Sequence, residues 1–136
     1  MKSKKLIGDF GENQAEKYLK GRGWHILSRN FSVRGGEIDI IGYKNGNLVF
    51  FEVKTRSNER FGKPHEAVDE RKIENIKKAA YEFTRYYCKG GKVGILYLFG
   101  IEIKRKIRKT RIDVIEVYID GAELRINHIK DRENRL

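Results

Sequence analysis

The chain has little of the residues that rigidify or staple small proteins: one proline, Pro64, and one cysteine, Cys88, in 136 residues. A single cysteine excludes a disulfide framework and suits a reducing compartment. There is no Cys-x-x-Cys pair, and His25, His65 and His128 are scattered, so a zinc site has no ligand set. Neither Gly-x-x-x-x-Gly-Lys-Ser/Thr nor Gly-x-Gly-x-x-Gly occurs, which leaves nucleoside triphosphate and dinucleotide sites without support. No apolar run approaches the roughly 18 residues of a membrane span. Residues 1–9 lack the apolar segment of a signal peptide, so the expected location is the cytosol. Acidic residues are also short: 19 Asp and Glu stand against 30 Lys and Arg, a net charge of +11.

That surplus points to a polyanionic partner, most often nucleic acid. Surface ion networks of the thermophile kind also raise the charged fraction, here 36%, but they require no excess of one sign. With 39% hydrophobic residues the chain can bury a core without staples. The expectation is one domain over residues 1–136.

The most informative stretch is 36–56. Two β-rich runs flank Asn45-Gly46, the strongest short-range hairpin signal. If these two residues are the centre of a type I′ turn, paired residue numbers sum to about 91. Tyr43 then faces Leu48, Ile41 faces Phe50, Asp39 faces Glu52, and Glu37 faces Lys54, all on one face. The other face is Ile38, Ile40, Val49, Phe51 and Val53, a core pattern. Two carboxylates opposite each other repel, and a hard divalent cation is the simplest compensation. The plainer reading is a solvated sheet face with a Glu37–Lys54 surface ion pair worth about 0–1 kcal/mol.

Residues 6–20 read as a helix with Ile7, Gly11, Ala15 and Tyr18 or Leu19 at helical spacing, stopped by Gly21 and Gly23. Residues 24–31 read as a strand and 32–35 as a loop carrying Arg34. A polar loop over 56–64 carries Arg56, Arg60 and Lys63. Asp69 suits an N-cap, and Ile73, Ile76, Ala80, Phe83 and Tyr87 form the stripe of an amphipathic helix ended by Gly90-Gly91. Residues 111–118 and 123–129 read as strands with a turn over 119–121, and 130–136 as a frayed charged tail. The segment 92–109 is β-rich over 93–103 and then strongly basic. It fits an added hairpin, a short helix or an oligomer contact, the last implying a homodimer.

Glu12, Asp39, Glu52 and Lys54 are the candidate catalytic set. Phosphodiester hydrolysis requires a metal to polarise phosphate and generate a nucleophile. Asp39 and Glu52 can bind Mg²⁺ or Mn²⁺, with the Val53 carbonyl and Glu12 adding oxygen ligands, directly or through water. Lys54 can orient or deprotonate the attacking water, or stabilise charge on phosphate. Taken alone, Glu12 reads more simply as a solvated helix carboxylate. Cys88 reads as inert core or boundary. Phe31, Tyr43, Phe50, Phe61, Tyr81, Tyr86 and Tyr87 can stack bases, though most read more simply as core.

The order Gly11-Glu12-Asn13-Gln14-Ala15, then Gly36-Glu37-Ile38-Asp39-Ile40-Ile41, then Phe51-Glu52-Val53-Lys54-Thr55-Arg56 resembles the PD-(D/E)xK nuclease superfamily. More narrowly, it resembles the YraN family of bacterial proteins, itself similar to archaeal Holliday-junction resolvases. The likeness continues through Phe61-Gly62, Glu66-Ala67-Val68, the helix over 69–87, Arg111-Ile112-Asp113-Val114-Ile115 and Ile126-Asn127-His128-Ile129. It implies an α/β, restriction-endonuclease-like fold with a mixed central β-sheet flanked by helices. It also implies acidic roles for Glu12, Asp39 and Glu52 and the lysine role for Lys54. Ile38 stands where the superfamily's name has proline, and the apolar 93–103 segment stands where a short polar connection is expected.

Two functions follow. One is a Mg²⁺-dependent nuclease on branched or otherwise structured DNA, with Arg34, Arg56, Arg60 and Lys63 on the nucleic acid. The other is a nucleic-acid-binding module whose site is degenerate or needs a partner. A protein-interaction domain explains the charge but not the hairpin face.

Overall fold

The computed structural model describes residues 4–57 and 70–133, with side chains described to Lys130. Its order is α1 (Lys4–Gly21), β1 (His25–Val33), β2 (Gly36–Lys44), β3 (Asn47–Ser57), α2 (Glu70–Tyr87), β4 (Lys92–Leu96), β5 (Glu102–Lys106), β6 (Lys109–Asp120) and β7 (Glu123–Glu133). Five strands form one mixed sheet in the order β1-β2-β3-β6-β7, and β4 and β5 form a separate hairpin. The helix–sheet arrangement is that of the expected α/β class. Strands β3 and β6 run parallel and the other neighbours antiparallel. Parallel pairing demands a long crossover, and α2 with the β4–β5 hairpin supplies it.

The hairpin turn is as the sequence reads it. Asn45 and Gly46 both have positive φ, 49° and 85°, which a type I′ turn requires. The ladder runs Lys44↔Asn47, Tyr43↔Leu48, Gly42↔Val49, Ile41↔Phe50 and Ile40↔Phe51. Paired β2–β3 registration then stops, short of both expected pairs, Asp39–Glu52 and Glu37–Lys54. Alternation makes Ile38–Val53 the next hydrogen-bonded pair. The Val53 N–H instead donates to Asp39 Oδ2 at 2.8 Å. A carboxylate has displaced a backbone carbonyl, and the start of β2 is released from β3.

That release corrects the face expected for Ile38. Ile38 packs with Ile41, Leu48, Phe50 and Ile112 beneath Ile73, Ile76, Ala79, Ala80 and Phe83 of α2. It does not join Ile40, Val49 and Phe51, which pack with Ala15 and Leu19 of α1, Trp24, Ile115 and Val117. Both sheet faces are therefore core, not one core face and one solvated face. Each fully buried large apolar side chain contributes about 1.5–3 kcal/mol. The start of β2 lies so close to α2 that a Cβ at Gly36 would collide with the Asn75 carbonyl oxygen and crowd Ala79. Gly36→Ala should cost about 1–3 kcal/mol, read as a lower midpoint in urea unfolding. An unchanged midpoint would contradict this packing.

Element boundaries differ from the sequence reading mainly by extension. Strand β1 continues to Val33, β6 spans Lys109–Asp120, and β7 continues to Glu133 where a frayed tail was expected. Pairing with a neighbour satisfies the backbone of each added residue, which propensity alone does not register. Ile7 is only half-buried on α1, and the buried positions are Gly11, Ala15 and Leu19. Tyr87 was placed on the buried stripe of α2, yet it is exposed with Tyr81 and Tyr86; its ring meets Phe31 and Phe83 edgewise or tilted at the end of the helix. Asp69 and Phe61 lie outside the described residues. Of the three readings of 92–109, the added hairpin is the one found. Its tip is apolar and solvent-facing, with Phe99 97% exposed. Among the described residues no helix is long and apolar enough to cross a membrane.

Candidate active site

Asp39 and Glu52 meet where the β2–β3 ladder ends. Glu52 is buried and Asp39 half-buried. Burial pushes the Asp39 carboxyl up to about 6; the Val53 N–H opposes this, and the nearby charge of Glu12 adds to it. Burial pushes Glu52 up to about 7, with the charge of Asp39 as the next cause. Two carboxylates thus share one poorly hydrated space and repel, as the register implies.

Lys72 completes this group and was missed in the sequence. Its Nζ stands 3.5 Å from Glu52 Oε1. Burial works against its charge, but Glu52 and Asp39 outweigh that and raise its pKa. A signal for it existed. Lys72 stands four residues before Ile76 and seven before Ala79, so it occupies a position on the buried stripe of α2.

Lys54 is on β3, two residues beyond Glu52, in register with Glu116 of β6. It is half-buried and forms no ion pair with Glu37, which is exposed and pairs along its backbone with Ser32 of β1. The charge of Lys54 reaches Glu52 through space and lowers its pKa. Glu12 faces the same end of the sheet from α1. Arg29 of β1 anchors it, with NH2 at 3.3 Å from Glu12 Oε1 and NH1 at 2.6 Å from Glu16 Oε1. Helix α1 approaches β3 closely because Gly11 lies directly on the Thr55 side chain. Glu12, Asp39, Glu52 and Lys54 therefore converge on one end of the sheet, with Glu12 tethered to Arg29.

The expected nucleic-acid contacts are dispersed. Arg34 is exposed at the β1–β2 turn and lines a shallow depression with Lys77, Lys78 and Tyr81 of α2. Arg56 is mostly buried, with NH2 3.9 Å from Glu116 Oε2. Arg60 and Lys63 lie outside the described residues. Cys88 is half-buried, and burial pushes its thiol up to about 11, which fits the inert role read for it.

The donor set suits a magnesium ion. Among the described residues no three His, Cys, Asp or Glu side chains form a ready-made metal cage. Mg²⁺ does not need one: it is commonly held by one or two carboxylates, retained water and substrate phosphate. Asp39 and Glu52 supply that pair, and Lys72 neutralises part of their charge in the metal-free protein.

A family model described as "Uncharacterised protein family UPF0102" matches residues 11–117, which includes every residue of this site. The chain belongs to the UPF0102 family. UPF0102 proteins of Syntrophomonas wolfei and Caldicellulosiruptor bescii are each 42% identical to it, covering 90% and 93% of this chain and 93% and 96% of their own. The UPF0102 protein of Clostridioides difficile is 41% identical over 90% of this chain and 91% of its own. The family match agrees with the narrower resemblance read from the motifs.

Proposed function

We propose that the protein is a Mg²⁺-dependent endonuclease acting on structured or branched DNA. The observation that carries this reading is the buried Asp39–Glu52 pair beside Lys54 and Lys72 at the open end of a hairpin. Pure nucleic-acid binding gives no reason to bury two carboxylates against a phosphate-facing surface. When bound, a divalent cation would supply charge against the phosphoryl oxygens and acidify a water.

The chain's own residues perform the rest. Asp39 is oriented by the Val53 N–H on its Oδ2, and Oδ1 would be its ligand to the cation. Glu52 provides the second oxygen ligand. Lys54, fixed on a strand paired to β6, orients the attacking water or stabilises charge growing on phosphate. Lys72 can exchange Glu52 for a phosphate oxygen once a cation takes its place. Glu12, held by Arg29, adds negative charge beside Asp39 and can receive a hydrogen bond from water.

The test is calorimetric titration with Mg²⁺ and Mn²⁺, run beside cleavage of four-way, flapped and linear DNA. The parent should bind metal and cut at least one substrate, and Asp39→Asn should lose metal binding. Equal binding by both proteins removes the metal site. Metal-independent DNA binding without cleavage favours the second reading, a nucleic-acid-binding module, which the net charge of +11 also supports. In either case binding should weaken steeply with salt through counterion release.

A further inference from the structure

A second basic pocket lies beside α1, where Tyr18 of α1 meets His128 of β7. The pocket is lined on one side by Tyr18, Arg22 and Trp24, and on the other by Lys44, Asn47, Arg111, Asn127, His128 and Lys130. No carboxylate lines it.

Its floor is built around Asp113, which is fully buried. Arg111 grips Asp113 through Nε at 2.9 Å and NH2 at 3.2 Å. His128 Nε2 stands 2.7 Å from Asp113 Oδ2. With Asp113 ionised, this contact requires the His128 proton on Nε2. This geometry fixes the Arg111 fork, and its NH1 has no hydrogen-bond partner among the described residues. The Arg111 guanidinium also sits 5.8 Å from the Trp24 ring centroid, and Arg22 stacks on Tyr18 at 3.9 Å. Lys44 and Lys130 form no ion pair among the described residues.

We propose that this pocket binds a phosphate group. Four cationic side chains converge without an opposing acid in the lining, and a buried carboxylate holds the arginine ready. Arg presents a planar donor fork matched to phosphate oxygens. A dianion suits this charge better than a carboxylate does. The phosphate can come free, from a strand terminus or from a strand backbone. The inference does not rest on catalysis at Asp39 and Glu52.

Trp24 is the only tryptophan of the chain and lines both this pocket and a separate cavity bounded by Lys20 and Lys104, so its emission reports on both. The parent is titrated with inorganic phosphate, a 5′-phosphorylated oligonucleotide and its 5′-hydroxyl counterpart, with calorimetry in parallel. Saturable changes are expected with phosphate. Lys44→Gln and Arg22→Gln should each weaken it about tenfold, the effect of losing one charge-assisted contact. Both are partly or fully exposed side chains, so neither change threatens folding as loss of Arg111 would. Lys104→Gln on β5, which lines the other cavity that touches Trp24, should leave affinity unchanged. Tighter binding of the 5′-phosphorylated strand assigns a terminal phosphate, and equal binding assigns the backbone. Absence of saturable heat and emission change overturns the proposal, as does equal weakening by Lys104→Gln. Because phosphate affinity is read without cleavage, loss of the nuclease reading leaves this result standing.

Discussion

Lys54→Ala should lower metal-dependent DNA cleavage by about 10²–10³-fold, the cost of one preorganised donor lost from a transition state. Affinity for the same DNA, measured in Ca²⁺, should stay within about twofold, because Lys54 is one of 30 basic residues and neutralises at most about one phosphate. The separation of the two effects is the point. Lys54 is held on β3 by the parallel ladder to β6, and its charge reaches Glu52. A group so placed acts at the carboxylate pair and contributes little to the general field. Lys54→Arg keeps the charge but changes the shape and donor geometry, so it should bind like the parent and cleave poorly. Equal cleavage by parent and Lys54→Ala would move the chemistry away from this hairpin. Parallel loss of affinity and cleavage would make Lys54 a binding residue. Folding is not at issue, since the half-buried Lys54 makes no ion pair whose loss would strand a partner.

The site was legible in the sequence to the extent that turn chemistry fixes register. Asn45-Gly46 admits one tight hairpin, and period-two arithmetic then brings Asp39 beside Glu52. The arithmetic fails at Ile38, because it assumes that backbone pairs with backbone. Asp39 takes the Val53 N–H with its side chain, and no periodicity encodes that substitution. The central strands misled in another way. Periodicity gave β6 as alternating, but residues 112–118 are all buried because helices or neighbouring strands cover both faces. Asp113 and Glu116 inside that run were the available sign of buried polar networks. Asp113 takes Arg111 and His128, and Glu116 takes Tyr118 and Asn127. Arg111 and Tyr118 lie two residues away on β6 itself, but His128 and Asn127 come from β7, 15 and 11 residues away, a separation that no local pattern spans. The β4–β5 hairpin was ambiguous because Gly94 and Gly100 interrupt an apolar run of which only Val93 and Ile95 enter a core, a small one shared with Tyr43.

Removing the negative charge at the carboxylate pair should stabilise the metal-free protein at neutral pH and not at acid pH. Asp39 and Glu52 have ordinary values of 3.8 and 4.5, and in the folded protein they lie at about 6 and about 7, raised chiefly by burial. The folded state therefore binds more protons than the unfolded state between these limits, so this pair makes stability fall as pH rises from about 4 to about 7. The penalty is complete above pH 7 and absent below about 4. At 1.36 kcal/mol per unit, and allowing for the coupling of the two groups, it is on the order of 2–4 kcal/mol. Urea unfolding of the Asp39→Asn, Glu52→Gln double variant against the parent isolates it, because the remaining titrations cancel in the difference. The variant should gain those 2–4 kcal/mol at pH 7.5, about the same scale as the pKa shifts, and gain almost nothing at pH 4. Saturating Mg²⁺ should stabilise the parent at pH 7.5 and leave the variant unmoved, since an ion that binds only the folded pair shifts stability by mass action. A variant no more stable than the parent at pH 7.5 would mean that Lys72 already cancels the repulsion. The case for a cation at this site would then lose its electrostatic basis.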